Sequence, residues 1–169
     1  MLARIKRSEE GFTLVELLIV IVIIGALGAM ALPTFLGQTN SALDSQRVSD
    51  LSRMRQAIAE YRQENGAYPG APGDWYYSWT ASWDTLATDL SPYMGALPRD
   101  PKPVNCGPWY TGCYSYVYGH WGGDTYDLVA QFANPRNSRR CGVKAYRFWT
   151  NNATPWCGGF SPFLYDANG

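Results

Sequence analysis

A nearly unbroken apolar run from Phe12 to Leu32, interrupted by one acid, Glu16, constrains this chain more than any other feature. About 20 apolar residues make a helix roughly 30 Å long, enough to cross a bilayer. An ionised carboxylate at the bilayer centre costs on the order of 3 kcal/mol by insertion scales, so Glu16 asks for a positive partner. Arg4, Lys6 and Arg7 precede the run. Positive charge ahead of a first helix keeps that end in the cytoplasm and sends the rest outward. A secretory signal has a shorter apolar region closed by a small-residue cleavage site. Here Pro33-Thr34-Phe35 follows, and the small residue, Gly11, comes before the run. The expectation is a single pass through the cytoplasmic (inner) membrane with the rest of the chain outside the cytoplasm.

Gly11-Phe12-Thr13-Leu14-Val15-Glu16, set before a membrane-length run, resembles the processing signature of the type IV pilin superfamily: pilins, type II secretion pseudopilins and competence pseudopilins. The resemblance covers the first third of the chain closely. It implies a leader, residues 1–11, removed by a prepilin peptidase between Gly11 and Phe12, with Phe12 becoming the N-methylated terminus. It also implies that Glu16 pairs with the terminal amine of a neighbouring subunit. A carboxylate four residues after the new terminus lies on the same helical face. Pairing would neutralise a charge that is costly in lipid and set the axial register. Pilins commonly carry a proline at the distance of Pro33, and proline removes a helical hydrogen bond. Gly25 and Gly28 each weaken a helix by about 1 kcal/mol relative to alanine, which eases local melting; close packing through small residues explains them equally.

After Pro33 the chain turns polar and keeps a helical period. Leu43, Val48, Leu51, Met54, Ile58 and Tyr61 recur at three- to five-residue steps as one apolar face. Asp44, Arg47, Asp50, Arg53, Arg55, Glu60, Arg62 and Glu64 are read as the opposite, solvated face. Asn65-Gly66 followed by Pro69 is a helix stop. One helix from Phe12 to about Asn65 would be roughly 80 Å long. Residues 12–33 form the transmembrane or filament-core part, 34–66 the amphipathic continuation, and 67–169 a globular head.

The head has room for one small core. Of the chain, 15% is aromatic, and all seven tryptophans follow residue 70. Segment 75–83 is the densest cluster and is read as core and subunit packing. Exposed, its rings would suit sugar stacking. Trp83, Leu86, Leu90, Tyr93 and Met94 predict a short helix. Tyr114 to Tyr118 alternates as a strand, Tyr126 to Phe132 is its partner, and Gly119 to Asp124 is the turn between them. Ala145 to Trp149 is a candidate third strand. Asn65-Gly66-x-Tyr68-Pro69, Leu97-Pro98-x-Asp100-Pro101 and the two tyrosine-bearing strands resemble the major pseudopilin type and related small pilins. The fold class expected is α+β: a long N-terminal helix on a small antiparallel sheet, pilin-like.

Four cysteines, Cys106, Cys113, Cys141 and Cys157, allow three connectivities, in a compartment where disulfides persist. Pairing of sequence neighbours, Cys106–Cys113 and Cys141–Cys157, is the plainest of the three; a C-terminal disulfide loop is familiar in type IV pilins. No C-x-x-C pair exists and His120 is the only histidine, so no zinc site is expected. Major pseudopilins often bind calcium, but Asp124, Asp127 and Asp166 are too few for its six to eight oxygen ligands from side chains alone. No cofactor is expected. No nucleophile motif or phosphate-binding loop appears, and the chain is not read as an enzyme.

Removing residues 1–11 leaves eleven basic and twelve acidic side chains, a net charge of −1. A near-neutral subunit stacks in large numbers without strong self-repulsion. Arg136, Arg139, Arg140, Lys144 and Arg147 form a local basic patch. A solvated loop with an intersubunit salt bridge is its favoured reading, and weak contact with DNA, polysaccharide or another anionic surface the other. The functional expectation is a structural subunit of a type IV pilus or pilus-like filament. A type II secretion pseudopilin is the alternative, and a membrane-tethered enzyme or binding module the third reading. The partners expected are copies of itself, the prepilin peptidase, an assembly platform and the membrane.

Overall fold

The computed structural model describes residues 11–120, 125–144 and 160–167, with the side chains of residues 30–37 outside that description. The chain divides into two compact units, Met1–Gln38 and Thr39–Gly169. The elements in order are α1 (Leu14–Asn65), β1 (Asp74–Tyr77), α2 (Ser82–Leu90), β2 (Val117–His120), β3 (Asp127–Gln131), α3 (Cys141–Lys144) and β4 (Leu164–Asp166). This is the expected α+β, pilin-like arrangement of an N-terminal helix followed by a small antiparallel sheet.

In the first unit the described apolar side chains of α1, from Leu14 to Leu27, are exposed. The helix continues through Gly25, Gly28 and Pro33. Among the described residues no helix is long and apolar enough to cross a membrane; the described side chains of this stretch end at Ala29, short of the about 20 residues a span needs.

In the second unit α1 supplies Leu51, Met54, Ala57 and Ile58 to the core. It stops at Asn65 because Gly66 takes φ +72°, a left-handed turn in which the Gly66 N–H reaches the Arg62 carbonyl at 2.9 Å. The sheet order is β1-β2-β3-β4, every pair antiparallel. Its inner face presents Tyr76, Tyr118, Leu128 and Ala130, which join the α1 residues and Trp83, Leu86 and Leu90 of α2 in one core. Val129 and Leu164 form a smaller cluster with Cys141, flanked by Trp75 and Trp109.

The sheet differs from the expected one in three ways. The aromatic segment supplies a strand, β1, so Tyr76 is core while Trp75, Tyr77 and Trp79 are half-buried. The C-terminal residues add β4, which alternates buried, half-buried, buried over three residues, too few to register as a strand in the sequence. Strand β2 begins at Val117 and runs through Gly119 and His120, two residues of the expected turn. Tyr116 sits just outside the ladder, bonded to both Ser78 Oγ and the Ser78 N–H at 2.9 Å. The remainder of the expected turn, Trp121 to Asp124, and the candidate strand Ala145 to Trp149 lie outside the described residues. Strand β3 and helix α2 stand where the sequence places them.

Candidate functional site

At the start of α1, Gly11 and Phe12 are exposed and precede the first helical turn. Thr13 and Glu16 close a reciprocal cap. The Thr13 N–H and Oγ1 donate to Glu16 Oε2 at 2.9 and 2.8 Å, and the Glu16 N–H donates to Thr13 Oγ1 at 3.3 Å. This is the T-x-x-E capping box, which satisfies helix-terminal donors that otherwise lack partners. Glu16 therefore has a structural task within its own chain besides any pairing with a neighbour. The spacing that reveals it, Thr13 followed three residues later by Glu16, is plain in the sequence and belongs beside the charge argument. Pro33 lies within α1.

Further along α1, three charges expected on a solvated face are buried: Asp44, Arg47 and Asp50. The Arg47 guanidinium donates from Nε and Nη2 to both oxygens of Asp100, at 2.7 and 2.9 Å, and from Nη1 to Asp44 at 2.9 Å. Asp44 also accepts from the backbone N–H groups of Ala133 and Asn134, at 2.7 and 3.0 Å. Asp100 accepts from the Lys102 N–H at 2.8 Å. The Tyr114 ring covers the guanidinium, 4.6 Å from its centroid. Burial opposes the Arg47 charge, but hydrogen bonds and charge from Asp100 and then Asp44 outweigh it, and the pKa rises. Beside this clasp Asp50 takes a 2.9 Å hydrogen bond from Tyr116 and one at 2.5 Å from Arg53. Desolvation, with the Asp50 charge second, pushes the Tyr116 phenol far up.

The signal for this burial was present. Stepping back from Ile58, Met54 and Leu51 by three and four lands on Arg47 and Asp44, whereas Leu43 to Val48 is a five-residue step that breaks the period. The packing seam simply becomes ionic at its N-terminal end, and hydrophobicity cannot register that.

Cys106 and Cys113 form a disulfide. Gln131 of β3 holds their loop from beneath, donating to the Pro108 and Tyr110 carbonyls at 2.5 and 2.8 Å and accepting from the Gly112 N–H at 2.6 Å. Cys141 is buried and disulfide-bonded; Cys157 lies outside the described residues. His120 is buried on β2 between the rings of Tyr68 and Tyr118. Its Nδ1 has no hydrogen-bond partner among the described residues, and burial lowers its pKa. No cluster of metal-ligating side chains occurs among the described residues. Arg136, Arg139 and Lys144 are exposed, and Arg140 is half-buried against Phe163. Arg147 lies outside the described residues.

A capped apolar helix start, and a later helical stretch clasped onto a four-stranded antiparallel sheet, define a pilin-like protein. Residues 6–32 match the prokaryotic N-terminal methylation motif. The chain is 38% identical over 64 residues to the type II secretion system core protein G of Aeromonas hydrophila, covering 38% of this chain and 45% of that protein. It is 35% identical over 102 residues to the protein of the same name from Vibrio cholerae serotype O1, covering 56% and 66%. To a fimbrial protein of Neisseria meningitidis serogroup B it is 40% identical over 62 residues, covering 37% and 36%. The first relatives are thus matched over about half their length, 45% for two and 66% for the third. No solved structure matches. By its N-terminal motif and these similarities the chain belongs to the type IV pilin and pseudopilin superfamily.

Proposed function

We propose that this chain is a structural, non-enzymatic subunit of a type IV pilus or pilus-like filament. The observation that carries the reading is Gly11-Phe12 set immediately before a capped helix whose described apolar side chains are exposed. Exposed leucine, valine and isoleucine over several turns need an apolar environment. Lipid supplies it before assembly and neighbouring helices supply it afterwards. A prepilin peptidase cuts between Gly11 and Phe12, Phe12 is methylated, and an assembly platform moves the subunit from the inner membrane into the filament. The new α-amino cation of one subunit meets Glu16 of its neighbour.

The capping box sharpens the test. Glutamine can serve at the third position of such a box, so Glu16→Gln keeps the cap and removes the charge. Charge pairing therefore predicts that Glu16→Gln and Glu16→Leu both insert normally and both lose filaments; a purely structural cap predicts that only Glu16→Leu does. Electron microscopy of sheared surface material, with mass analysis of the N-terminus, reads both the filament and the methylated Phe12. Mature polypeptide that still begins at Met1 and stays monomeric in the membrane refutes the reading.

A type II secretion pseudopilin is the second reading. It is favoured by the similarity to core protein G of Vibrio cholerae, which extends over 102 residues. Short filaments seen only on overexpression, with a secretion defect on deletion, would select it over a surface pilus.

A further inference from the structure

Charges of opposite sign are sorted along this chain. From Gln63 to Pro98 there are four acids, Glu64, Asp74, Asp84 and Asp89, and no lysine or arginine. From Leu128 to Tyr165 there are five bases, the patch noted above, and no acid. Among the described residues the fold makes this sorting spatial. In the order β1-β2-β3-β4, β1 and β4 are the two outer strands. Helix α2, which carries Asp84 and Asp89, packs on β1, and Asp74 opens β1 itself. Helix α3, which ends the Arg136–Lys144 segment, packs on β4. Asp74 and Asp84 are exposed on one side, Arg136 and Lys144 on the other.

The basic edge is held in place. Asp44 grips the backbone at Ala133 and Asn134, and the Gly142 N–H donates to the Pro162 carbonyl at 2.8 Å. On the acidic edge, Asp84 meets Arg99 at 2.7 Å with both side chains solvent-facing, an arrangement that contributes at most about 1 kcal/mol and is easily exchanged.

We propose that the basic β4 edge of one head docks onto the acidic β1 edge of the next copy of this chain. The inference rests on the filament-subunit reading and assigns the contact between its heads. Joining two different faces gives a heterologous contact, which propagates as an open helix when its rotation does not close. A two-fold dimer through either edge would set like charges together, which is unfavourable. An extended polyanion would use the basic edge alone, whereas a second copy uses both.

The test uses the full chain in cells that assemble it, with sheared filaments counted by electron microscopy and membrane subunit levels measured alongside. Arg136→Glu/Lys144→Glu and Asp74→Lys/Asp84→Lys are each expected to lower filament yield about tenfold, and all four changes together to restore it to within about threefold, since swapped charges attract again. If a reversal lowers the subunit level, Arg136→Gln/Lys144→Gln replaces it, with a loss of about threefold expected and more residual yield at low salt. Unchanged yield from each pair, or no recovery in the fourfold variant, overturns the contact and leaves the filament reading standing. Absence of filaments from the unaltered chain overturns the filament reading and the contact with it. Normal filaments from the Arg136/Lys144 variant, coupled to lost retention on DNA or acidic polysaccharide, overturn the contact in favour of a polyanion partner.

Discussion

Arg47→Met removes the cation that two buried carboxylates share. The side chain remains long and apolar, so packing is largely kept and the loss is electrostatic. Asp44 retains the Ala133 and Asn134 N–H groups, whereas Asp100 retains, among the described residues, only the Lys102 N–H. Breaking a buried ion pair by deleting one member costs about 3–5 kcal/mol. Urea unfolding of the detergent-solubilised chain, followed by tryptophan fluorescence, reads the head alone because every tryptophan lies there. With a slope of about 1–3 kcal/mol per molar urea, a 3 kcal/mol loss moves the midpoint by roughly 1–3 M. Arg47→Met/Asp100→Asn should recover at least about 1 kcal/mol, since an unpaired buried charge has then been removed. A loss below about 1 kcal/mol at pH 7, or no recovery in the double variant, would show that the clasp is not the stabilising contact described.

Two further outcomes follow from the head. Burial depresses the folded pKa of His120 below its ordinary value of 6.5, with Tyr68 and Tyr118 facing its ring and Asp74 opposite it in the strand register. The unfolded chain then binds the proton more readily, so this contribution is present above about pH 6.5 and is lost as pH falls toward the folded pKa; a thermal midpoint that drops between pH 7 and 5.5 in the parent and drops less in His120→Phe is the expected result. At Gly119 a Cβ would strike the six-membered ring of the Trp75 indole, so Gly119→Ala should destabilise by about 1–3 kcal/mol, as overpacking does, and Trp75→Ala should relieve part of it in the double variant.

How much was legible depended on whether a signal was local. The apolar run, the Gly11-Phe12 junction, the stop at Asn65-Gly66, helix α2 and strand β3 all stand in short stretches of sequence, because periodicity, capping and turn chemistry act over a few residues. Strands β1 and β4 did not. Four aromatic-rich residues and three C-terminal ones become strands only because β2 and β3 offer them partners. The same holds for His120, whose place in β2 rather than a turn follows from pairing with Asp74.

What the sequence by itself determined is the N-terminal pattern: a match to the N-terminal methylation motif, an acid in an apolar helix, and a polar continuation that leans on a head. Tertiary structure decided which charges are solvated. Arg47 lies next to Asp44 on α1 but 53 positions from Asp100, and each of the three alone reads as surface. Brought together they satisfy one another, and mutual satisfaction is what permits ions in a core. The same folding step placed the acids of β1 and α2 and the bases of the Arg136–Lys144 segment at opposite edges of the sheet, a separation that linear order alone does not contain.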